Sequence, residues 1–192
     1  MNTTEIKIGG LGGQGVILAG MIIGRAASIY QAKHATLTQS FGPEARGSAC
    51  SASIVVADDP VEYPYVTHPN ILVVMSQEAC TRFAPEMAPG GLLLHEAELV
   101  KPGELPQGVE QYGIPATRIA EQLHRRMVAN IVMVGFFTAV TGLLTLEAAR
   151  GSVEGSVPAG TENLNLNAFD KGYEFGKELL GGENPRLATA SA

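Results

Sequence analysis

The glycines of the stretch IGGLGGQGV, at residues 8–16, are the first candidates for chemistry in this chain. Gly10, Gly12 and Gly15 match G-x-G-x-x-G, a pattern that brings a pyrophosphate to the first turn of a helix in dinucleotide-binding folds. Such a site also uses an acidic residue about 20 residues beyond the loop, at the end of the second strand. No Asp or Glu lies between Gly15 and Glu44. The loop therefore favours another ligand or a partner loop, with a dinucleotide site and a tight packing turn as alternatives.

A second candidate stretch, SFGPEARG at residues 40–47, follows the predicted strand ATLTQS. Gly42 and Pro43 predict a rigid turn. Glu44 and Arg46 come directly after it, where open α/β sheets place their ligand crevice. Arg46 could bind a phosphate or carboxylate through two hydrogen bonds. A local ion pair between Arg46 and Glu44, or between Arg46 and a partner residue, is the structural alternative.

The other reactive residue types form no recognisable catalytic set. Cys50 and Cys80 make no CxxC pair, and the four histidines lack metal-ligand spacing. We interpret Cys50, which lies in a stretch of small residues, as a core residue. The chain is therefore predicted to hold no metal and no catalytic residues of its own, and its use of cysteine favours the reducing cytoplasm.

Composition and charge limit the possible functions. The length of 192 residues suits one domain with a sizeable core. Charged residues make up 17%, below the usual quarter, so we expect partner chains to cover part of the surface. A net charge of −6, with no basic run longer than HRR, argues against nucleic-acid binding. The first ten residues, MNTTEIKIGG, show no apolar signal-peptide core.

The elements that must position these motifs alternate between strands and helices. EIKIG predicts a strand, and the apolar stretch 14–32 beyond the loop predicts a helix that is buried on all sides. Further strands are predicted in ATLTQS, SACSASIVVAD, NILVVMS, GGLLLHE and GVEQYGI, with NILVVMS central and parallel. Helices are predicted in QEACTRFAPEM, from Pro115 continuously to residue 144, and in LNAFDKGYEFGKELL, whereas residues 150–163 are predicted as a loop.

This order of elements predicts a fold of the α/β class. We expect a single Rossmann-like domain over residues 1–182, with a mostly parallel sheet and helices on both faces. Residues 183–192 are expected to form a disordered tail.

The uncharged run from Val128 to Leu146 is 19 residues long, which reaches the length of a membrane span. It contains Asn130 and three threonines, and it continues a segment that carries several charges. These features favour a buried core or interface helix over a membrane anchor. Asn130, at the start of the run, needs a buried hydrogen-bond partner or a ligand.

Taken together, GGLGGQGVILAG, TQSFGPEARGSACSASIVVADDPVEYP and MVANIVMVGFF resemble the gamma subunit, or gamma domain, of thiamine-dependent 2-oxoacid:acceptor oxidoreductases. This family includes ferredoxin-linked pyruvate, 2-oxoglutarate, 2-ketoisovalerate and arylglyoxylate enzymes, and the resemblance spans roughly residues 5–180. It implies a cytoplasmic complex that converts a 2-oxoacid and coenzyme A (CoA) into acyl-CoA and CO₂ and reduces ferredoxin or a related acceptor. It also implies that partner subunits hold thiamine diphosphate, Mg²⁺ and the [4Fe–4S] clusters, and that this chain holds no cofactor alone.

The resemblance further implies that the two loops lie on the active-site side, where CoA can approach. The site residues it assigns are Gly12, Gly13, Gln14, Gly15, Phe41, Gly42, Pro43, Glu44, Arg46 and, less directly, Asn130. One departure is RGS at residues 46–48, where some family members have RGG. The stretch DDPVEYPYV is closer to the 2-oxoglutarate and arylglyoxylate branches than to the pyruvate enzymes. A free-standing nucleotide-binding Rossmann domain is the alternative, and whether the glycine loop contacts CoA or only a partner subunit is left open.

The absent ribose-binding acid leads to a direct test. We expect the isolated chain not to bind NAD(H), because nothing at the end of the second strand can accept hydrogen bonds from the ribose hydroxyls. Titration with NADH, followed by fluorescence and calorimetry, checks this. Saturable binding at micromolar NADH would contradict it.

Overall fold

The computed structural model describes residues 3–42 and 47–181. They contain six strands: β1 (Thr3–Leu11), β2 (His34–Phe41), β3 (Ala49–Ala57), β4 (Ile71–Val74), β5 (Leu92–Glu96) and β6 (Glu110–Ile114). All six join one sheet in the order β2-β3-β1-β4-β5-β6. The predicted tail, residues 183–192, lies outside the described residues.

Five of the six strands run in the same direction. β1, β4, β5 and β6 pair in parallel, whereas β3 is antiparallel to both of its neighbours, β1 and β2. The prediction of a mostly parallel sheet is thereby confirmed. The exception follows from chain length, because β2 and β3 are joined by only seven residues, too few for the crossover that a parallel pair needs.

Six α-helices cover the two faces of the sheet: α1 (Val16–Arg25), α2 (Gln77–Phe83), α3 (Ala116–Gln122), α4 (Ala129–Thr141), α5 (Leu146–Glu154) and α6 (Glu162–Leu179). Helix α2 packs on one face, against residues such as Leu72, Val74 and Leu93. The other five helices contribute to the larger core on the opposite face. The α/β class with helices on both faces is therefore confirmed.

Helix α1 differs in two respects from its prediction. It changes to a π-helical turn at Ala26–Tyr30. It is also not buried on all sides, because Met21, Ile29 and Tyr30 are exposed. The buried face packs on β3, where a Cβ added at Gly20 would lie 2.7 Å from that of Ala52. These exposed apolar side chains agree with the expectation that partner chains cover part of the surface.

The prediction of one continuous helix from Pro115 to residue 144 is wrong, because the helix is interrupted between α3 and α4. The amide of Arg125 returns to the carbonyl of Ala120 at 3.1 Å, and His124 adopts a left-handed φ of 57°. Helix α4 itself ends before residue 144, at Gly142, which has a left-handed φ of 63°. Periodicity could not reveal the first break, since no Gly or Pro marks it.

Residues 150–154, predicted as loop, belong to helix α5. Thr145 caps this helix by accepting a hydrogen bond from the amide of Ala148 at 3.2 Å. Ala149 and Val153 are fully buried in the main core. The burial of one helix face therefore outweighs the low helix propensity of Gly151 and Ser152, which belong to the stretch predicted as a loop.

Helix α4 is buried on every side, which explains its uniformly apolar sequence. Twelve of its thirteen residues are buried. Met133, Val134 and Phe137 face the sheet, and α6 covers the other side. The expectation of a buried core helix is confirmed. No helix in the described part of the chain is long and apolar enough to cross a membrane.

Two glycines let α4 and α6 approach so closely. A Cβ added at Gly135 would overlap the carbonyl oxygen of Phe169, and one at Gly172 would overlap that of Val132. Because backbone atoms cannot rotate away as side chains do, any larger residue must push the helices apart.

We therefore expect Gly172→Ala to destabilise the chain by about 2 kcal/mol or more, despite the better helix propensity of alanine. For a protein of this size that lowers the melting temperature by about 4–8 °C. Gly103→Ala is the matched control, since no atom lies within 4 Å of its added Cβ. Equal melting temperatures for the two variants would contradict the close packing of α4 and α6.

Candidate functional site

The two motifs singled out in the sequence lie side by side at the carboxyl edge of the parallel strands. Strand register places Leu11 opposite Ala49, and Phe41 opposite Cys50. The glycine loop and the β2–β3 loop are then joined by two backbone hydrogen bonds. The amide of Gly12 donates to Ser48 at 2.8 Å, and that of Gly47 donates to Gly12 at 3.3 Å.

The Gln14 side chain ties the ends of two central strands together. Its Oε1 accepts a hydrogen bond from the amide of Leu11 at 2.7 Å, and its Nε2 donates to the carbonyl of Met75 at 2.9 Å. Leu11 ends β1 and Met75 follows β4, and these two strands lie on either side of the topological switch point of the sheet. In open α/β folds a ligand binds in the crevice at this point. Gln14 thus forms the floor of that crevice with its side chain.

The conformation of the loop depends on helix α4. Gly15 has a left-handed φ of 74°, and a Cβ added there would lie 2.7 Å from Cγ of Asn130. Asn130 is 3% exposed, and its Nδ2 donates to the carbonyl of Gly15 at 3.2 Å. The same carbonyl accepts the amide of Ala19, within α1. Asn130 has therefore found its buried partner in the glycine loop.

A cavity of about 290 Å³ opens above this floor. Gly13, Gln14 and Met75 form its base. This volume is at the lower end of the range for small-molecule sites. The cavity therefore suits one part of a large ligand, or a site completed by another chain.

Glu96, at the end of β5, lies at one side of the cavity and is fully buried. Its Oε2 accepts hydrogen bonds from the amides of Glu98 and Leu99 at 2.8 and 2.6 Å, and Oε1 accepts one from Thr117 at 3.2 Å. Three backbone donors satisfy the carboxylate, so it holds the β5–β6 loop and the start of α3 in place. Leu99 and Thr117 then line the same side of the cavity.

Arg126 and Met127 also line the cavity. Arg126 is the one basic side chain among the described residues that line it. The imidazole of His95, which precedes Glu96, points to the other face of the sheet. Burial lowers the pKa of His95, against the opposing influence of Glu96, so the ring is neutral at neutral pH.

The structure brings together six of the ten predicted site residues. Gly12, Gly13, Gln14 and Gly15 form the glycine loop, Asn130 donates to Gly15, and the amide of Gly42 donates to Ala49 beside that loop at 2.9 Å. Phe41 is placed at the same edge, and its side chain is 66% exposed. Pro43, Glu44 and Arg46 lie outside the described residues.

Comparison with known proteins identifies the family. Residues 5–175 match the family model described as pyruvate ferredoxin/flavodoxin oxidoreductase. The chain is 47% identical to the 2-oxoglutarate synthase subunit KorC of Methanocaldococcus jannaschii, over 91% of this chain and 95% of that one. The chain belongs to the pyruvate ferredoxin/flavodoxin oxidoreductase family. It is a gamma subunit of a 2-oxoacid:ferredoxin oxidoreductase, and so one subunit of a larger oxidoreductase complex.

Solved structures agree with this assignment. The gamma subunit of a keto/oxoacid ferredoxin oxidoreductase from Geobacter sulfurreducens superposes with a TM-score of 0.80 at 36% identity, over 91% of this chain and 99% of that chain. A 2-oxoglutarate:ferredoxin oxidoreductase from Magnetococcus marinus gives a TM-score of 0.83 at 21% identity, which shows the fold alone. That structure contains 2-oxoglutarate, CoA and succinyl-CoA, and this subunit spans 32% of its chain.

Several cavity residues of this gamma subunit were not predicted as site residues from the sequence. Glu96 is an acid at the end of a predicted strand, which is a detectable signal. The ribose-binding pattern, however, requires its acid at the end of the second strand. Arg126 and Met127 were assigned to the interior of a continuous helix. Only the break after α3 places them at the cavity.

Gln14 provides a test of the crevice floor. Replacing it by leucine leaves the amide of Leu11 and the carbonyl of Met75 without their partner, at a cost of about 1–3 kcal/mol. Gln14→Glu keeps the acceptor for Leu11 but places a carboxylate oxygen against the carbonyl of Met75. We expect Gln14→Glu to be the less stable of the two variants at neutral pH.

The pH dependence of that variant sets it apart. The introduced carboxyl ionises less readily in the folded than in the unfolded chain, so its destabilisation develops as pH rises through about 4–5. Below that range the protonated carboxyl donates to Met75. Urea unfolding at several pH values measures this, with exposed Gln107→Glu as control. A Gln14→Glu profile parallel to the control would refute the tie between β1 and β4.

Proposed function

We propose that this gamma subunit serves an enzyme that oxidises 2-oxoglutarate. The observation that carries the proposal is the 47% identity with a 2-oxoglutarate synthase subunit over nearly the whole of both chains. The reaction converts 2-oxoglutarate, CoA and two oxidised ferredoxins into succinyl-CoA, CO₂, one proton and two reduced ferredoxins. Two electrons leave the oxoacid, and each ferredoxin accepts one.

In this proposal the crevice at the carboxyl edge forms part of the channel through which CoA approaches. The contact between the glycine loop and the β2–β3 loop supports it, since both loops then face the same space. Gly12, Gly13 and Gly15 shape one wall, and Asn130 holds that wall from behind. The other wall contains Phe41 and Gly42, and Pro43, Glu44 and Arg46 come next in the sequence. Arg46 is the proposed anion-binding residue of that second loop.

We assign thiamine diphosphate, Mg²⁺ and the [4Fe–4S] clusters to the partner subunits. Thiamine diphosphate supplies the decarboxylation chemistry when bound, and the clusters carry electrons to the acceptor. The cysteines of this chain support the assignment, because burial raises the pKa of both Cys50 and Cys80. A raised pKa disfavours the thiolate that an iron–sulfur ligand requires.

The partners in this proposal are the thiamine-binding and iron–sulfur subunits, with ferredoxin as acceptor, in the cytoplasm. Exposed apolar side chains give surface for such contacts, among them Met21, Ile29, Phe41 and Met127. The modest cavity volume supports the same view, because a CoA molecule needs more enclosure than this subunit offers alone.

The test is the substrate preference of the assembled enzyme. The subunit is co-expressed with candidate thiamine-binding and iron–sulfur subunits from the same genome, and CoA-dependent reduction of ferredoxin is measured with different oxoacids. We expect kcat/KM for 2-oxoglutarate to exceed the values for pyruvate, 2-ketoisovalerate and an arylglyoxylate by about tenfold or more, a difference of about 1.4 kcal/mol. Omission of CoA is the control. A higher kcat/KM for another oxoacid would replace 2-oxoglutarate in this proposal.

A further inference from the structure

The turn between α3 and α4 presents two side chains to the mouth of the cavity. Met127 is 87% exposed, the largest exposure among the large apolar residues of the described chain. Arg126 precedes it, and its side chain is 71% exposed. Both line the cavity above the glycine loop. An exposed methionine beside an exposed arginine can contact a ligand that has both an apolar and an anionic part.

The backbone holds these residues in an unusual way. His124 has a left-handed φ of 57°, a conformation that costs energy for a residue with a side chain. The amide of Val128 then donates to Arg125 at 3.0 Å, which closes the turn before α4 begins. The continuous helix that the local sequence favours would carry Arg126 and Met127 on a regular helical surface. Strain of this kind is concentrated at functional sites.

Arg126 is available to a ligand. Its ion pair with Glu121 has an Nε–Oε1 distance of 3.8 Å, and the Glu121 side chain is 56% exposed. Exposed pairs at this separation are weak, so the guanidinium can exchange Glu121 for a stronger anion at little cost. A phosphate group accepts two hydrogen bonds from the planar guanidinium in parallel.

The charges of the cavity determine where an anion binds. Glu96 lines the cavity and is fully buried, whereas the side chain of Arg126 is 71% exposed. Glu96 repels an anion from the interior, while Arg126 attracts one at the mouth. Met75 and Leu99 also line the cavity, and their apolar side chains suit an uncharged chain. This arrangement favours a ligand with an anionic group at the mouth and an uncharged group inside.

We propose that Arg126 binds a phosphate group of CoA at the mouth of this cavity, a role that rests on the proposed function of the crevice. CoA has the required form, because its phosphates are joined to a long uncharged pantetheine arm. Arg126 thereby sets the affinity for CoA without contacting the oxoacid. The residue acts in binding and takes no part in bond breaking.

The test uses the assembled complex with wild-type, Arg126→Ala and Arg126→Lys subunits. Arg126→Ala is expected to raise both the KM for CoA and its calorimetric dissociation constant by about tenfold. Arg126→Lys keeps the charge but loses the paired hydrogen bonds, so we expect an increase of about threefold. The kcat and the KM for 2-oxoglutarate should stay within about twofold of wild type. Arg82→Ala, an exposed arginine on α2 at the opposite face of the sheet, is the control for net charge.

Dephospho-CoA distinguishes the two sources of phosphate. If the effect of Arg126→Ala disappears with dephospho-CoA, Arg126 binds the 3′-phosphate; if it persists, Arg126 binds the diphosphate. Raising the salt concentration should weaken CoA binding more in wild type than in Arg126→Ala, because salt screens an exposed charge. Both results with dephospho-CoA, loss or persistence of the effect, support the proposal.

Three outcomes would overturn it. CoA affinity within about twofold of wild type in Arg126→Ala would show that the residue does not bind CoA. An equal loss in Arg82→Ala would reduce the effect to net charge. Failure of Arg126→Ala to assemble, with Arg82→Ala assembling normally, would assign Arg126 to a subunit contact. An inactive wild-type complex that still binds CoA more tightly than Arg126→Ala would refute the proposed function while leaving this inference intact.

Discussion

The close approach of α4 to its neighbours is the constraint on which the site depends. This helix is enclosed between the sheet and α6, and the contact with α6 is possible because Gly135 and Gly172 have no side chain. The first turn of the enclosed helix presents Asn130 to the carbonyl of Gly15. Core packing and loop conformation are therefore coupled. A shift of α4 would move Asn130 and, with it, the wall of the crevice.

The glycine loop has the spacing of a dinucleotide-binding loop and leads into a helix, but the residues around it differ from those of a dinucleotide site. Gly15 is left-handed before a helix, as such loops require. However, β2 ends without an acid, and the side chain of Gln14 joins β1 to β4 across the switch point. The acid at this edge is Glu96, on β5, and backbone amides already satisfy it. In the proposed function, the same loop serves as a wall of the channel for CoA.

The sequence predicted the elements whose signals are local. All six strands appeared where alternation or apolar runs indicated them, since burial of one or both strand faces imposes those patterns. The break between α3 and α4 was not predicted, because residues 123–125 carry no Gly or Pro. The helix α5 was missed because its burial depends on contacts with distant residues, such as the hydrogen bond from Ser152 to Ile22 at 2.7 Å. The same difference between local and distant signals applies to the candidate site. The two loops were predicted from local motifs, whereas Glu96 and Arg126 were not predicted.

The sequence by itself determined the family, the α/β class and the two loops, because their glycines are required by the local backbone or by close approach. It also determined that the run beginning at Val128 is apolar on all sides, which requires burial. Only the tertiary structure decided which residues share the crevice. Strand order brings Gln14 beside Met75 and Glu96, and the break after α3 turns Arg126 toward them. These contacts join residues 30 to more than 60 positions apart, and no local pattern encodes which distant strand ends will meet.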